Sequence, residues 1–191
     1  MNKSGRQIIN LPLGKGYRSG CLRSLREDDA FKMLEWMHDP AIANRFSFDF
    51  KSMKEADALT FIRMSWTDRS SLHLAIANEV DGSYLGTISL KHIDRVQSCA
   101  EYAIATLSAA HGTGAALAGT KEMLSIAFLG LGLHRVFLDV RSDNGRARSF
   151  YRKVGFVEEG VAREALRDAA GEFVDLVWLS MLADEFQDIL E

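Results

Sequence analysis

Two stretches of this chain have the residue types and spacing to do chemistry. The first, His111-Gly112-Thr113-Gly114-Ala115-Ala116-Leu117-Ala118-Gly119-Thr120-Lys121, holds three glycines and three alanines. A small-residue turn running into a helix exposes backbone N–H groups and the positive end of a helix dipole, the ordinary way to hold a phosphate. Two phosphate devices fail here. Gly114 and Gly119 have the spacing of a nucleotide P-loop, but Thr120-Lys121 follows in swapped order, and that device needs its lysine directly after the second glycine. Gly112 and Gly114 fit the start of a dinucleotide fingerprint, yet Leu117 occupies the third glycine site and no second βαβ unit follows.

The second stretch is SDNGRARSFYRKVGF, whose Asn144 lies 28 residues past Ala116. It reads as a short helix opened by Ser142, Asp143 or Asn144 and closed by Gly155. A third phosphate device joins the two stretches. The turn resembles Q/R-x-x-G-x-G/A, the pyrophosphate loop of the GNAT acetyltransferase superfamily, with Gly114 and Ala116 in the small positions. The second stretch is similar to that superfamily's N-x-R-A-x-x-x-Y-x-x-x-G-F signature at Asn144, Arg146, Ala147, Tyr151, Gly155 and Phe156. The flanking GLHRVFLDV and the opening LRSLREDDAFKMLEWMHDP resemble the branch containing ribosomal-protein, polyamine and amino-sugar acetyltransferases, so the likeness spans about residues 21–182. It departs at His111, where Arg or Gln is usual. A histidine there can donate to a phosphate oxygen, but its charge depends on pH near neutrality.

The resemblance implies an acetyl-CoA-dependent N-acetyltransferase working by direct attack, and it distributes the roles. Backbone N–H groups of Gly112, Thr113, Gly114, Ala115 and Ala116 would grip the cofactor's pyrophosphate, with the His111 side chain as a further donor. The strand edge at Ile104, Ala105 and Thr106 would hold the pantetheine arm and supply an oxyanion donor. Tyr151 would protonate the departing thiolate, a phenol near pKa 10 being able to serve a thiolate of comparable basicity. Asn144 would bond the cofactor arm or cap its helix, and Arg146 would reach a phosphate or stay a surface charge. Glu101 lies where related enzymes often place a carboxylate, as a base for the acceptor ammonium or as one half of a cross-strand ion pair. His92 and His134 sit in no motif and read as structural. Cys99 reads as core, with an acetyl-cysteine route as the minor alternative.

On the acceptor side, Phe46, Phe48 and Phe50 alternate at period two and would line the pocket or a nearby core. Asp49 and Glu35 would meet a cationic acceptor or a solvated face. A polyamine, an amino sugar or a protein N-terminus would each serve as acceptor. A catalytically silent coenzyme A-binding module is the competing class.

These residues need a frame, and apolar periodicity supplies one. A tail or edge segment over 1–20 precedes a single domain over 21–191. The order is β-α-α-β-β-β-α-β-α-β-β, an α/β (α+β) fold with a mixed, mostly antiparallel sheet and helices on both faces, as in GNAT enzymes. Helices are expected over the stretch before Pro40, with Phe31, Leu34, Trp36 and Met37 inward, and over 54–67, with Ala58, Phe61, Ile62 and Met64 inward. A loop is expected over 41–50.

Composition sets outer bounds. With 47% hydrophobic and 26% charged residues in 191, the chain is an ordinary globular sequence. A net charge of −3 gives no basic footprint for nucleic acid. No apolar run reaches the length of a membrane span or a signal peptide. Two distant cysteines make neither a disulfide framework nor a metal-ligand spacing, so a cytoplasmic protein without metal is expected. A homodimer is the family's habit.

Overall fold

The computed structural model describes residues 10–45, 50–168 and 171–190. In chain order these form β1 (Arg18–Ser19), β2 (Leu22–Ser24), α1 (Asp29–Met37), α2 (Pro40–Ala43), α3 (Glu55–Ser65), β3 (Leu72–Ala77), β4 (Tyr84–Asp94), β5 (Cys99–Thr106), α4 (Ala115–Ser125), β6 (Arg135–Arg141), α5 (Gly145–Val154), β7 (Val157–Arg167), β8 (Phe173–Leu182) and α6 (Ala183–Leu190). The last turn of α4 widens into a π-helical stretch, Ile126–Gly130.

The strands make one sheet in the order β1-β2-β3-β4-β5-β6-β8-β7. Every junction is antiparallel except β5–β6, which is parallel. Alternate side chains of a strand face opposite ways, so each strand feeds two cores. Leu74, Ile76, Ile88, Leu90, Tyr102, Val136, Leu138 and Leu179 pack with Met123 and Leu124 of α4, Tyr151 and Val154 of α5, and Phe186 of α6. Ala75, Tyr84 and Ala105 face the other way, onto Met33 and Trp36 of α1 and Ala58 and Ile62 of α3. The mixed sheet with helices on both faces is therefore the architecture observed.

Four features differ from the periodicity reading. The buried stripe of α1 is Ala30, Met33 and Met37, at i, i+3 and i+7, which turns Phe31 outward to 69% exposure. In α3 the buried pair is Ala58 and Ile62, and Met64 is 65% exposed. Part of the expected 41–50 loop is helical. Asp39 accepts from the Ala41 N–H at 2.9 Å and Pro40 occupies the first helical position, so a cap and a preset φ start α2 although only four residues follow. The C-terminal α6 was not anticipated; its first turn is secured by the Leu182 N–H donating to Glu185 at 2.7 Å. Arg18 and Ser19, inside the expected tail or edge segment, pair with Arg23 and Leu22.

One junction in the antiparallel half bears on the site. Gly86 of β4 pairs with Thr106 of β5. A β-carbon on Gly86 would lie 2.5 Å from the Ala105 carbonyl oxygen and 2.9 Å from Thr106 Cα, so only glycine lets the end of β5 lie this close to β4.

Candidate active site

The site forms where the sheet comes apart. β5 pairs with β4 as far as Thr106, but with β6 only through Cys99–Glu101 against Arg135–Phe137. Beyond Glu101 the two strands diverge, leaving the β6-side edge of residues 102–106 without a strand partner. Ile104, Ala105 and Thr106 lie on that open edge, and main-chain groups not taken by β4 face the gap.

β5 leads through a 3₁₀ turn, Ser108–Ala110, into the glycine-rich stretch. Gly112 (φ 79°) and Gly114 (φ 88°) both adopt the left-handed region, and Gly114 is the N-cap of α4. A β-carbon on either would meet no atom within 4 Å, so the backbone here faces open space. Thr113 folds the turn with its own side chain. Its hydroxyl donates to the Ala110 carbonyl at 2.8 Å and accepts from the Ala115 N–H at 3.3 Å. Among the described residues, the N–H groups of Gly112, Gly114, Ala116 and Leu117 have no hydrogen-bond partner. Uncommitted donors at the positive end of an 11-residue helix fit a pyrophosphate. Acetyl-CoA, if bound here, would bring the acetyl thioester to the gap.

The opposite lip belongs to β6 and α5. Asn144 accepts from the Ala147 N–H at 3.2 Å and caps α5. The cap uses only its carbonyl oxygen; its amide N–H groups have no partner among the described residues. Arg146, in the first turn, meets His111 across the gap, with Nη1 to Nδ1 at 3.1 Å. Tyr151 is buried, with ring contacts to Tyr102, Phe156 and Phe150 at centroid distances of 6.2, 5.8 and 5.5 Å. Its hydroxyl has no hydrogen-bond partner among the described residues. Burial, and then the charge of Asp139, hold the phenol above its ordinary range, so it stays protonated at neutral pH.

Asp139 was missed by the sequence reading, which took HRVFLDV as a plain apolar run. It lies on β6 two residues beyond Phe137, where the pairing with β5 has just ended, and shares a sheet face with Phe137 and Glu101. Burial against its neighbours, then the charge of Glu101, push its carboxyl above the ordinary range, although solvent still reaches it. Trp178 pairs with Asp139 and stacks on Phe137 at 6.1 Å, giving this lip an aromatic wall. Tyr151 packs on the opposite face, yet the charge of Asp139 reaches its phenol at the parting.

Most of the remaining candidates are engaged with partners of their own. Glu101 forms an ion pair with its register partner Lys91 and lies 3.1 Å from His92 Nδ1, the cross-strand pair that sequence offered as the alternative to a base. His134 anchors a turn through its backbone, its N–H donating to the Ser98 carbonyl at 2.7 Å. Glu35 pairs with Lys32 on an exposed helix face. Cys99 begins β5, in its paired part, seven residues from Thr106 and well away from the gap. Phe50 packs edge-to-face on Trp36 at 5.0 Å, as part of a core. Phe46, Phe48 and Asp49 lie outside the described residues. The segment before them bridges both lips. Asp39 accepts from the Ser108 hydroxyl at 3.0 Å, the Asn44 carbonyl accepts from Arg141 at 3.4 Å, and Arg45 lies 3.7 Å from Asp143.

A mixed sheet with one parallel junction, opening beside a glycine turn, defines an acetyltransferase class of fold. The chain belongs to the GNAT family: the profile described as an acetyltransferase (GNAT) domain matches residues 21–157. Among curated relatives, the putative ribosomal N-acetyltransferase YdaF of Bacillus subtilis (strain 168) is 35% identical over 107 residues, covering 56% of this chain and 58% of that protein. The spermidine N(1)-acetyltransferase of Escherichia coli (strain K12) is 34% identical over 82 residues, covering 43% of this chain and 44% of that one. The matched stretches thus span about half the length of these relatives. Among solved structures, spermidine N-acetyltransferase from Vibrio cholerae, in complex with CoA and spermine, superposes with a TM-score of 0.79 at 21% identity, over 87% of this chain and 96% of that one.

Proposed function

We propose that this protein transfers the acetyl group of acetyl-CoA to a primary amine of a small, cationic acceptor of the polyamine type. The observation that carries this reading is Asp139, a carboxylate with no ion pair or hydrogen bond among the described residues, at the parting of β5 and β6 and within electrostatic reach of Tyr151. Thioester aminolysis needs an acid and a base on either side of one carbonyl, and these two groups flank the gap.

In this mechanism the turn at Gly112–Ala116 holds the pyrophosphate, and the edge at Ile104–Thr106 holds the pantetheine arm and polarises the thioester carbonyl through a main-chain N–H. An alkylammonium near pKa 10 cannot attack until it loses a proton. Asp139 attracts the cation and accepts that proton, directly or through water, and a carboxyl with a raised pKa suits the task. Glu101 keeps a long-range share by raising Asp139. The nitrogen then attacks the carbonyl carbon, the C–S bond breaks, and Tyr151 donates its phenolic proton to the departing sulfur. The nitrogen's second proton leaves to solvent and the phenol is reprotonated, so each turnover releases one proton net. The dry surroundings that raise Tyr151 also raise the basicity of a thiolate beside it, which keeps donor and acceptor matched.

Relatives named as spermidine acetyltransferases support the polyamine class, and the free thiols of Cys21 and Cys99 suit the cytoplasm. A homodimer belongs to the same proposal; the exposed Val157, Val161 and Phe173 of the β7–β8 hairpin are the surface it would cover. The test is thiol release from acetyl-CoA with spermidine, spermine, an amino-sugar nucleotide and a peptide amine as acceptors. Turnover restricted to the polyamines is expected, and Asp139→Asn should lower kcat by about 100-fold or more with little change in coenzyme A affinity. Thermal stabilisation by coenzyme A without turnover on any amine would favour the silent binding module instead.

A further inference from the structure

The one departure from the family's loop, His111, is not solitary. Arg146 Nη1 lies 3.1 Å from its Nδ1. A guanidinium has only donors, so Nδ1 must accept with a lone pair, which leaves a neutral ring carrying its proton on Nε2. Two influences act in the same direction: partial burial and, next, the neighbouring guanidinium both disfavour imidazolium, while Asp39 opposes them weakly. Nε2 has no hydrogen-bond partner among the described residues, and the ring is exposed beside Gly112 at the foot of α4.

We infer that His111 and Arg146 form one composite anion clamp for coenzyme A, in which Arg146 supplies the charge and locks His111 as a neutral Nε2–H donor to a phosphate oxygen. This rests on the acetyl-CoA reading above and deepens it. The clamp couples the one departing loop position to a residue of the second motif, a loop and a helix start on opposite lips. It therefore closes the cofactor entrance on both sides at once. It also makes the grip insensitive to pH across the range in which an isolated imidazole titrates. The charged and titratable groups facing His111 are Arg146 from α5 and Asp39 from the turn before α2, with the Ser108 hydroxyl nearby. The first turn of α4 contributes no acid or base.

The experiment is calorimetric titration of the intact protein with coenzyme A from about pH 8 down to about pH 5.5, bracketing the ordinary histidine range. The 3′-phosphate of the ligand titrates near pH 6 as well, so each protein is compared with the H111A/R146A double variant at the same pH. The wild-type to double-variant affinity ratio should stay level. Arg146→Ala should lose about tenfold at pH 8, then recover several-fold on the acid side as the released imidazole takes a proton and replaces the lost charge. His111→Ala should lose affinity equally at all pH values. A ratio for Arg146→Ala that stays as level as the wild type's overturns the clamp, as does undiminished affinity in either single variant. Failure of the wild-type protein to bind coenzyme A would instead overturn the acetyl-CoA reading itself. Both positions are exposed or half-buried, and unchanged melting temperatures in the absence of ligand verify that each variant is folded.

Discussion

The two lips of the cleft do their work with different parts of the chain. On the β5 lip, His111 apart, the groups facing the gap are backbone: the open strand edge at Ile104–Thr106 and, among the described residues, the unpaired N–H groups of Gly112, Gly114, Ala116 and Leu117. On the β6–α5 lip they are side chains: Asp139, Asn144, Arg146 and Tyr151. A backbone lip is set by what is missing, since glycines and alanines let the main chain come close. A side-chain lip is set by what is present and by the helix that holds it. Substitutions in the glycine turn and at the Asp139–Tyr151 pair should therefore fail in different ways, the first in cofactor affinity and the second in the chemical step.

The sharpest contrast comes from Tyr151→Phe. It removes the proton donor and keeps the ring packing against Tyr102 and Phe156. Single-turnover kinetics should show kcat lowered by about 100-fold or more, with the Kd for coenzyme A within about twofold of wild type. Unchanged turnover would take Tyr151 out of the acid role and leave this lip with binding functions only. Gly114→Val attacks the other lip. At φ 88° a β-branched residue is strained, and its side chain would occupy the space that the backbone faces. A loss of about 30-fold in coenzyme A affinity is expected, roughly 2 kcal/mol, with saturated turnover nearly intact. An equal loss in both quantities would erase the distinction between the lips.

A smaller effect belongs to neither lip and serves as their control. His73 of β3 lies 2.8 Å from the Ser89 hydroxyl and edge-to-face with Phe61, in the fully paired half of the sheet. Burial pushes its pKa down to about 4 from 6.5. Below the ordinary histidine value the unfolded chain binds a proton that the folded one refuses. Stability is therefore full above about pH 6.5 and falls as pH drops toward 4. Urea unfolding should register about 1–2 kcal/mol of loss over that interval, allowing for partial solvent access. His73→Gln should flatten the slope and leave coenzyme A affinity at neutral pH untouched.

The same contrast explains which parts of the site could be read from sequence. The glycine turn of the β5 lip could be read only together with the signature that follows it, because small residues opening a helix are often plain packing. Tyr151 was legible because its neighbours recur in that long signature. Asp139 was hidden as a single acid in an apolar run. Only the sheet register, a long-range property, puts it past the last β5–β6 pair. Glu101, offered by sequence as a base or as half of a cross-strand ion pair, has Lys91 as its register partner and ion-pair partner. Phe31 turned outward because the stripe at Ala30, Met33 and Met37 outweighed a larger side chain outside it. Asp39-Pro40 carried a helix-start signal that four residues of helix made easy to overlook.

Gly86 carries a lesson of another kind. With any side chain in its place, the carbonyl of Ala105 and the Cα of Thr106 would be displaced from β4, and the free direction is toward β6. The width of the parting between β5 and β6 is thus gauged by one missing atom on a strand that does not border it. A saturation scan scored by activity would mark Gly86 as a functional position. The same scan scored by binding contacts would pass over it.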